Sequence, residues 1–152
     1  MSEDNHNAAA TDQSPLYVLC ADLSADNHSA FKYVIDKAAS ANGRIGLLGC
    51  IRMDDFQSWA SVEGAVRQEL HEQCEKELWI LAGQMKDMGS PMSEFLIEEG
   101  APMEALGKIV EKYPDISEVI IALSRADIVD YLEPDAMRKL PVPLVFMPPS
   151  LR

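Results

Sequence analysis

The stretch Glu118-Val119-Ile120-Ile121-Ala122-Leu123-Ser124-Arg125-Ala126-Asp127 joins a short apolar run to a polar loop. The run is too short for an independent helix, so it predicts a strand buried on both faces of a parallel sheet. In open α/β sheets, ligands bind beyond the carboxyl ends of the strands, where the strand order reverses. We therefore expect any small ligand to contact the loop Ser124–Asp127.

Apolar runs alternate with helical periodicity along the rest of the chain. Strands are predicted at Leu16–Ala21, Ile45–Ile51, around Phe95–Ile97, over the first half of the opening stretch, and at Val142–Met147. The intervening helices are predicted to end near Ala41, to run from Val62 to Met88, to begin at Pro102, and to begin at about Glu133. This alternation predicts an α/β fold, a parallel sheet with helices on both faces. Prolines around the last strand favour a place at the edge of the sheet.

Length and charge restrict the classes of partner. The 152 residues suit one domain, predicted over residues 15–152, after a polar, acidic arm at residues 1–14 that we expect to be disordered. A formal net charge of −12 argues against nucleic acid and against anionic membrane surfaces. No apolar run approaches the roughly 20 residues of a membrane span, and the first residues lack a signal-peptide pattern, so a cytoplasmic location is expected.

Residues with catalytic or metal-binding chemistry are sparse. The three cysteines, Cys20, Cys50 and Cys74, lack C-x-x-C spacing and are interpreted as buried, reduced thiols. None of the three histidines stands at metal-binding spacing with enough further ligands to hold a metal ion. The sequence also contains no nucleophile elbow and no Walker loop. We therefore predict neither a metal site nor an enzyme. Trp59 and Trp79 are interpreted as packing residues.

Four segments resemble, in their order and spacing, the universal stress protein domain. They are Asp22-Leu23-Ser24, similar to the family's V-D-x-S, Phe95–Gly100 before a helix, Ile120–Ala126, which resembles a strand and G-S-x-G loop, and Pro143–Phe146, similar to a closing P-V-L-V-V. The resemblance covers roughly residues 16–148. It implies a three-layer α/β/α fold of the adenine nucleotide alpha hydrolase-like type, with an open parallel five-stranded sheet in the order 3-2-1-4-5. It also implies a homodimer formed through the last strand.

Many members of that family bind ATP through G-x2-G-x9-G-[ST] after the fourth strand. Glycines are needed there because backbone N–H groups must approach the phosphates without an intervening Cβ. The corresponding positions here are Leu123, Ala126, Ala136 and Met137, and no glycine occurs between Lys108 and Arg152. Asp127 and Asp130 add negative charge where the phosphates would lie. We expect neither ATP nor another cofactor.

What remains of the family's pocket gives four candidate ligand-binding residues. By resemblance, Asp22 matches the adenosine-side carboxylate, Cys50 flanks the adenine position, and Ser124 and Arg125 lie in the loop after the fourth strand. The planar guanidinium of Arg125 would suit a phosphate or carboxylate. The structural alternative is that Asp22 organises the start of the first helix, while Arg125 pairs with Asp127 or Asp22.

The sequence therefore predicts a non-enzymatic, universal-stress-type protein that acts in stress response or regulation as a homodimer, with an unidentified protein partner and without ATP. Residues of the last strand would form the dimer interface: Val142, Leu144, Val145, Phe146 and Met147. Pairing of two such strands would cover an edge that otherwise favours aggregation. The alternative function is a sensor that binds a nucleotide or another small anion at the carboxyl ends of the first and fourth strands.

Overall fold

A computed structural model describes residues 14–23, 26–52, 60–123, 128–131 and 133–147, without the side chains of residues 60–63 and 130. The predicted arm lies outside these residues except for Ser14, whose carbonyl accepts a hydrogen bond from Arg44 Nη2 at 3.1 Å. Trp59 also lies outside them.

Strands and helices alternate as predicted. The strands are β1 (Leu16–Ala21), β2 (Arg44–Ile51), β3 (Glu94–Glu99), β4 (Ile116–Ala122) and β5 (Leu144–Phe146). The helices are α1 (His28–Ala41), α2 (Ala60–Asp87), α3 (Pro102–Lys112) and α4 (Pro134–Lys139), with a 3₁₀ turn at Val129–Tyr131. None of the helices that the structure describes combines the length and the apolar character needed to cross a membrane.

All strand pairings are parallel, and the sheet order is β3-β2-β1-β4-β5. This confirms the predicted α/β fold and strand order, including the position of β5 at an edge. Successive strand residues point to opposite faces, so Tyr17 and Leu19 join one apolar cluster while Leu16 and Val18 join the other. The first cluster packs under α1 and α2, and the second under α3. Three layers result.

Local signals account for most helix ends. Asn42 ends α1 in the left-handed conformation, with φ of 52°, as asparagine tolerates. Pro102 stands in the first turn of α3, and the Glu133 carboxylate accepts hydrogen bonds from the backbone of Asp135 and Ala136 at the start of α4. At the start of α1, Asp26 Oδ1 accepts a hydrogen bond from His28 N at 3.1 Å.

Two expectations differ from the structure. The last strand is shorter than Val142–Met147, because Pro143 has no N–H to donate; its carbonyl still accepts from Val119 N at 3.0 Å. The interpretation of Trp79 as a packing residue is wrong in part. Its side chain is 62% exposed, although its ring packs edge to face with that of Phe95 at a centroid distance of 5.0 Å.

Candidate functional site

A cleft opens where β1 and β2 separate at their carboxyl ends. The pairing of β1 with β2 runs only to Leu19–Leu47, whereas the pairing of β1 with β4 continues to Ala21–Ala122. The cleft has a volume of about 610 Å³ and is bounded by the ends of both strands, one side of α2, Leu123 and Tyr131. Clefts of this size and place are where open α/β sheets hold small ligands.

Two of the four predicted ligand-binding residues lie in this cleft. Asp22 and Cys50 both line it, at the ends of β1 and β2. The backbone carbonyl of Asp22 also accepts a hydrogen bond of 2.6 Å from the side chain of Asn27, which is 4% exposed. Asp22 therefore also organises the loop before α1, through its main chain. Ser124 and Arg125 lie outside the described residues.

All three cysteines line the same cleft, which the sequence did not indicate. Burial raises the pKa of the Cys20 thiol well above its usual range, and it also raises the pKa of Cys50. Partial burial and the nearby Glu77 raise the pKa of Cys74 to about 11. The thiols are therefore protonated and weakly nucleophilic at neutral pH. Cys20 is buried as predicted, whereas Cys50 and Cys74 are only half-buried.

The hydroxyl of Tyr131 connects two of these thiols. It donates to Cys20 Sγ at 3.8 Å and lies 3.6 Å from Cys50 Sγ, and the side chain is 3% exposed. Desolvation raises the pKa of this phenol far above its usual range. Tyr131 thus forms part of the buried wall of the cleft on the α3 side. Sequence reasoning missed this residue because it stands in a short 3₁₀ turn that has no periodic pattern.

The charges on the cleft are mostly acidic. Asp22 and Glu77 line it, and among the described lining residues Arg52 is the one cation. Across the described part of the chain, no group of three or more His, Cys, Asp and Glu side chains is arranged to hold a metal ion. The described walls therefore present apolar side chains, protonated thiols, two carboxylates and one guanidinium.

Comparisons with known proteins find similarity in structure and not in sequence. No protein-family model matches the chain, and no curated protein matches it. Hypothetical protein MJ0577 superposes with a TM-score of 0.69 at 17% identity, over 92% of this chain and 99% of that one. The universal stress protein UspA of Lactobacillus plantarum gives a TM-score of 0.63 at 12% identity, over 89% of this chain and 98% of that one. The chain has the universal stress protein fold.

A third structure with this fold carries a nucleotide. A universal stress protein family protein from Arabidopsis thaliana, solved with AMP bound, gives a TM-score of 0.57 at 15% identity, over 90% of this chain and 93% of that one. At such identities the universal stress protein fold is common to these chains, while the residues that line the cleft are this chain's own.

The cleft can be compared with what an adenine nucleotide needs. Its volume of about 610 Å³ and the carboxylate of Asp22 suit an adenosine. A triphosphate needs close backbone N–H groups, and no glycine follows Gly107 in the sequence. Asp22 and Glu77 bring two carboxylates to the cleft, and Arg52 brings one guanidinium.

Proposed function

We propose that this protein is a cytoplasmic, non-enzymatic, universal-stress-type regulator that acts as a homodimer through contacts with other proteins and without bound ATP. The structural similarity to universal stress proteins supports the class. The cleft supports the part of the proposal that concerns ATP, because two of its three charged lining residues are acidic and no glycine follows β4 in the sequence.

The observation that carries the proposal is the position of Tyr131. Between the positions that correspond to the second and third glycines of the ATP motif, this chain has a 3₁₀ turn whose Tyr131 lines the cleft. A buried aromatic ring of this size leaves less room on that side, and its hydroxyl is already engaged with the thiols. We infer that this ring leaves too little space on that side of the cleft for a chain of phosphates.

The edge strand supports the homodimer. β5 is the outermost strand beside β4, and Val142, Leu144, Val145, Phe146 and Met147 are all half-buried in the protomer. A second copy pairing along this edge would complete the burial of these side chains and satisfy the outward backbone groups.

A second candidate function is a sensor of adenosine or a nucleoside monophosphate. The cleft volume and Asp22 favour it, as does the AMP bound to the Arabidopsis protein of the same fold. Asp22 would accept hydrogen bonds from the ribose hydroxyls, and the end of β2 at Cys50 would flank the base. Ser124 and Arg125 would contact the single phosphate.

Isothermal titration calorimetry with ATP, ADP, AMP and adenosine distinguishes the two functions. The proposed regulator gives no saturable heat with ATP, and any affinity should fall from AMP to ATP because each phosphate adds charge beside Asp22 and Glu77. Asp22→Ala is the test variant; it retains the carbonyl that holds Asn27. Asp36→Ala, at an exposed ion pair with Lys32, is the matched control.

Tight ATP binding that Asp22→Ala abolishes and Asp36→Ala leaves unchanged would overturn the proposed function. AMP binding with the same dependence on Asp22 would instead establish the sensor. Phosphate release from ATP with Mg²⁺, measured in the same preparations, should stay at the background rate if the protein is not an enzyme.

A further inference from the structure

α2 carries a stripe of exposed residues that belongs neither to the cleft nor to the β5 edge. Trp79 and Ile80 are 62% and 52% exposed, and Lys76, Gly83 and Asp87 are exposed beside them. These five residues recur at intervals of three and four, so they lie along one face of the helix. The stripe is opposite the apolar side of α2, where Leu78, Leu81 and Met85 are buried.

Gly83 is the informative member of the stripe. A Cβ added there would meet no atom within 4 Å, whereas a Cβ on Gly49 or Gly46 would lie within 3 Å of a neighbour. Glycine weakens a helix interior relative to alanine, and no contact in the described structure requires it at this position. The absence of a side chain at Gly83 leaves space on this face for a second chain to approach closely.

The stripe is complementary to itself when one copy is turned antiparallel. Ile80 and Gly83 are equidistant from the midpoint between Leu81 and Ala82, and so are Lys76 and Asp87. A two-fold axis through this midpoint places Ile80 of each copy over Gly83 of the other. The same axis brings each Lys76 to the other copy's Asp87.

Lys76 and Asp87 are the charged residues at the two ends of the stripe. Among the described residues, neither of them forms an ion pair. They are about 16 Å apart along the helix axis, which is too far for them to pair with each other. Antiparallel association would form two ion pairs in each dimer, each between Lys76 of one copy and Asp87 of the other. Two equivalent contacts related by a two-fold axis are what an isologous interface contains.

From this geometry we propose that α2 is a second interface between copies of this chain, formed by antiparallel packing of two α2 helices with Ile80 seated against the partner's Gly83. Trp79 flanks the contact from the β3 side, where its ring packs against that of Phe95. One helix face buries less than a standard protein interface, so the association should depend on concentration in the micromolar range.

This interface is separate from the β5 edge of the proposed function. Trp79 and Phe95 place it near β3, and β3 and β5 are the two opposite edges of the sheet. Association through α2 alone gives a dimer. Association through both surfaces gives larger assemblies, because two isologous interfaces lie on one protomer.

Sedimentation velocity of the full chain over a range of concentrations tests the proposal. Gly83→Leu should weaken association by about tenfold or more, because its side chain fills the space that Ile80 of the other copy requires. Gly64→Leu is the matched control: its Cβ also meets nothing within 4 Å, but it lies outside the stripe. Circular dichroism should show both variants folded, and Gly83→Ala provides a milder version.

Equal masses for wild type and Gly83→Leu at every concentration would overturn the proposal. The stripe would then be a candidate surface for a different protein. A charge exchange tests the antiparallel geometry. Lys76→Glu and Asp87→Lys should each weaken association by about three- to tenfold, and the double variant should restore it. If the double variant does not recover association, the proposed packing is contradicted. This holds whether or not the chain also forms a dimer through β5.

Discussion

Gly49 lies in β2 where the strand passes beneath α2. A Cβ at this position would lie 2.3 Å from Cys74 Sγ and 3.4 Å from a methyl carbon of Leu78. The absence of a side chain therefore lets α2 approach the sheet at the wall of the cleft. Interiors pack closely enough that even one added methyl group requires its neighbours to move.

Gly49→Ala should destabilise the protein by about 1 to 3 kcal/mol, because the helix or the Cys74 side chain must shift. Removing the opposing sulfur in Gly49→Ala/Cys74→Ala should recover part of this loss. The measurement is urea unfolding of the four proteins of the double-mutant cycle. Gly64→Ala, with open space around the new Cβ, should instead raise stability by about 0.5 to 1 kcal/mol. Strictly additive single effects would contradict the contact.

The carboxyl end of β3 is connected to two helices by Glu99. Its carboxylate Oε2 lies 2.9 Å from Arg67 Nε and 3.1 Å from His71 Nε2, both on α2. Its backbone carbonyl accepts from Lys108 Nζ of α3 at 2.8 Å. The hydrogen bond from His71, followed by the bond and charge of Arg67, lowers the pKa of the Glu99 carboxyl. β3 is an edge strand, and these contacts attach it to the helices on both faces.

Glu99→Gln should reduce stability at neutral pH by about 0.5 to 1 kcal/mol, as for a half-exposed ion-pair network. A lowered folded-state pKa contributes stability that is present above the unfolded value and lost as the pH falls through the folded value. The difference between wild type and Glu99→Gln should therefore vanish in acid, below the ordinary glutamate pKa. Urea unfolding from pH 7 to pH 3 measures it. Glu111→Gln, an exposed carboxyl on α3, is the control; an equal loss there would contradict the assignment.

The two edge strands of the sheet differ in length and in their contacts with the helices. β3 has six residues and is joined to α2 and α3 through Phe95 and Glu99, whereas β5 has three residues. Val145 lies in register with Ile120 of β4 at the centre of this short strand. A homodimer through β5 would therefore place Val145 at the middle of the contact.

Val145→Lys should shift the proposed β5 dimer to monomer, because two ammonium groups would face each other in an apolar interface. The comparison is made in a Gly83→Leu background, which removes association through α2. Sedimentation should then show dimer for the background protein and monomer for Val145→Lys. Val129→Lys, at a residue that is 52% exposed outside the edge, should remain dimeric. An unchanged dimer in Val145→Lys would contradict the β5 assignment.

Several features followed from the sequence because their causes are local. The buried runs of β1 and β4, the periodicity of α2, and the helix-end signals Asn42, Pro102 and Glu133 depend on neighbouring residues and on the backbone angles that those residues allow. Strand-helix alternation and the resemblance then led to the sheet order that the structure shows. The prediction that Asp22 and Cys50 share a cleft also follows, since parallel strands end at one edge.

The tertiary structure alone revealed the wall of that cleft and the exposed stripe. Tyr131 meets Cys20 and Cys50 across 111 and 81 residues of chain, and such contacts depend on how distant segments of the chain pack together. Cys74 lies against Gly49 only because α2 crosses β2 at that point. A periodic pattern shows which side of α2 is apolar, but packing determined that Trp79 remains exposed beside Ile80. Local chemistry specifies elements, whereas long-range packing specifies which side chains meet.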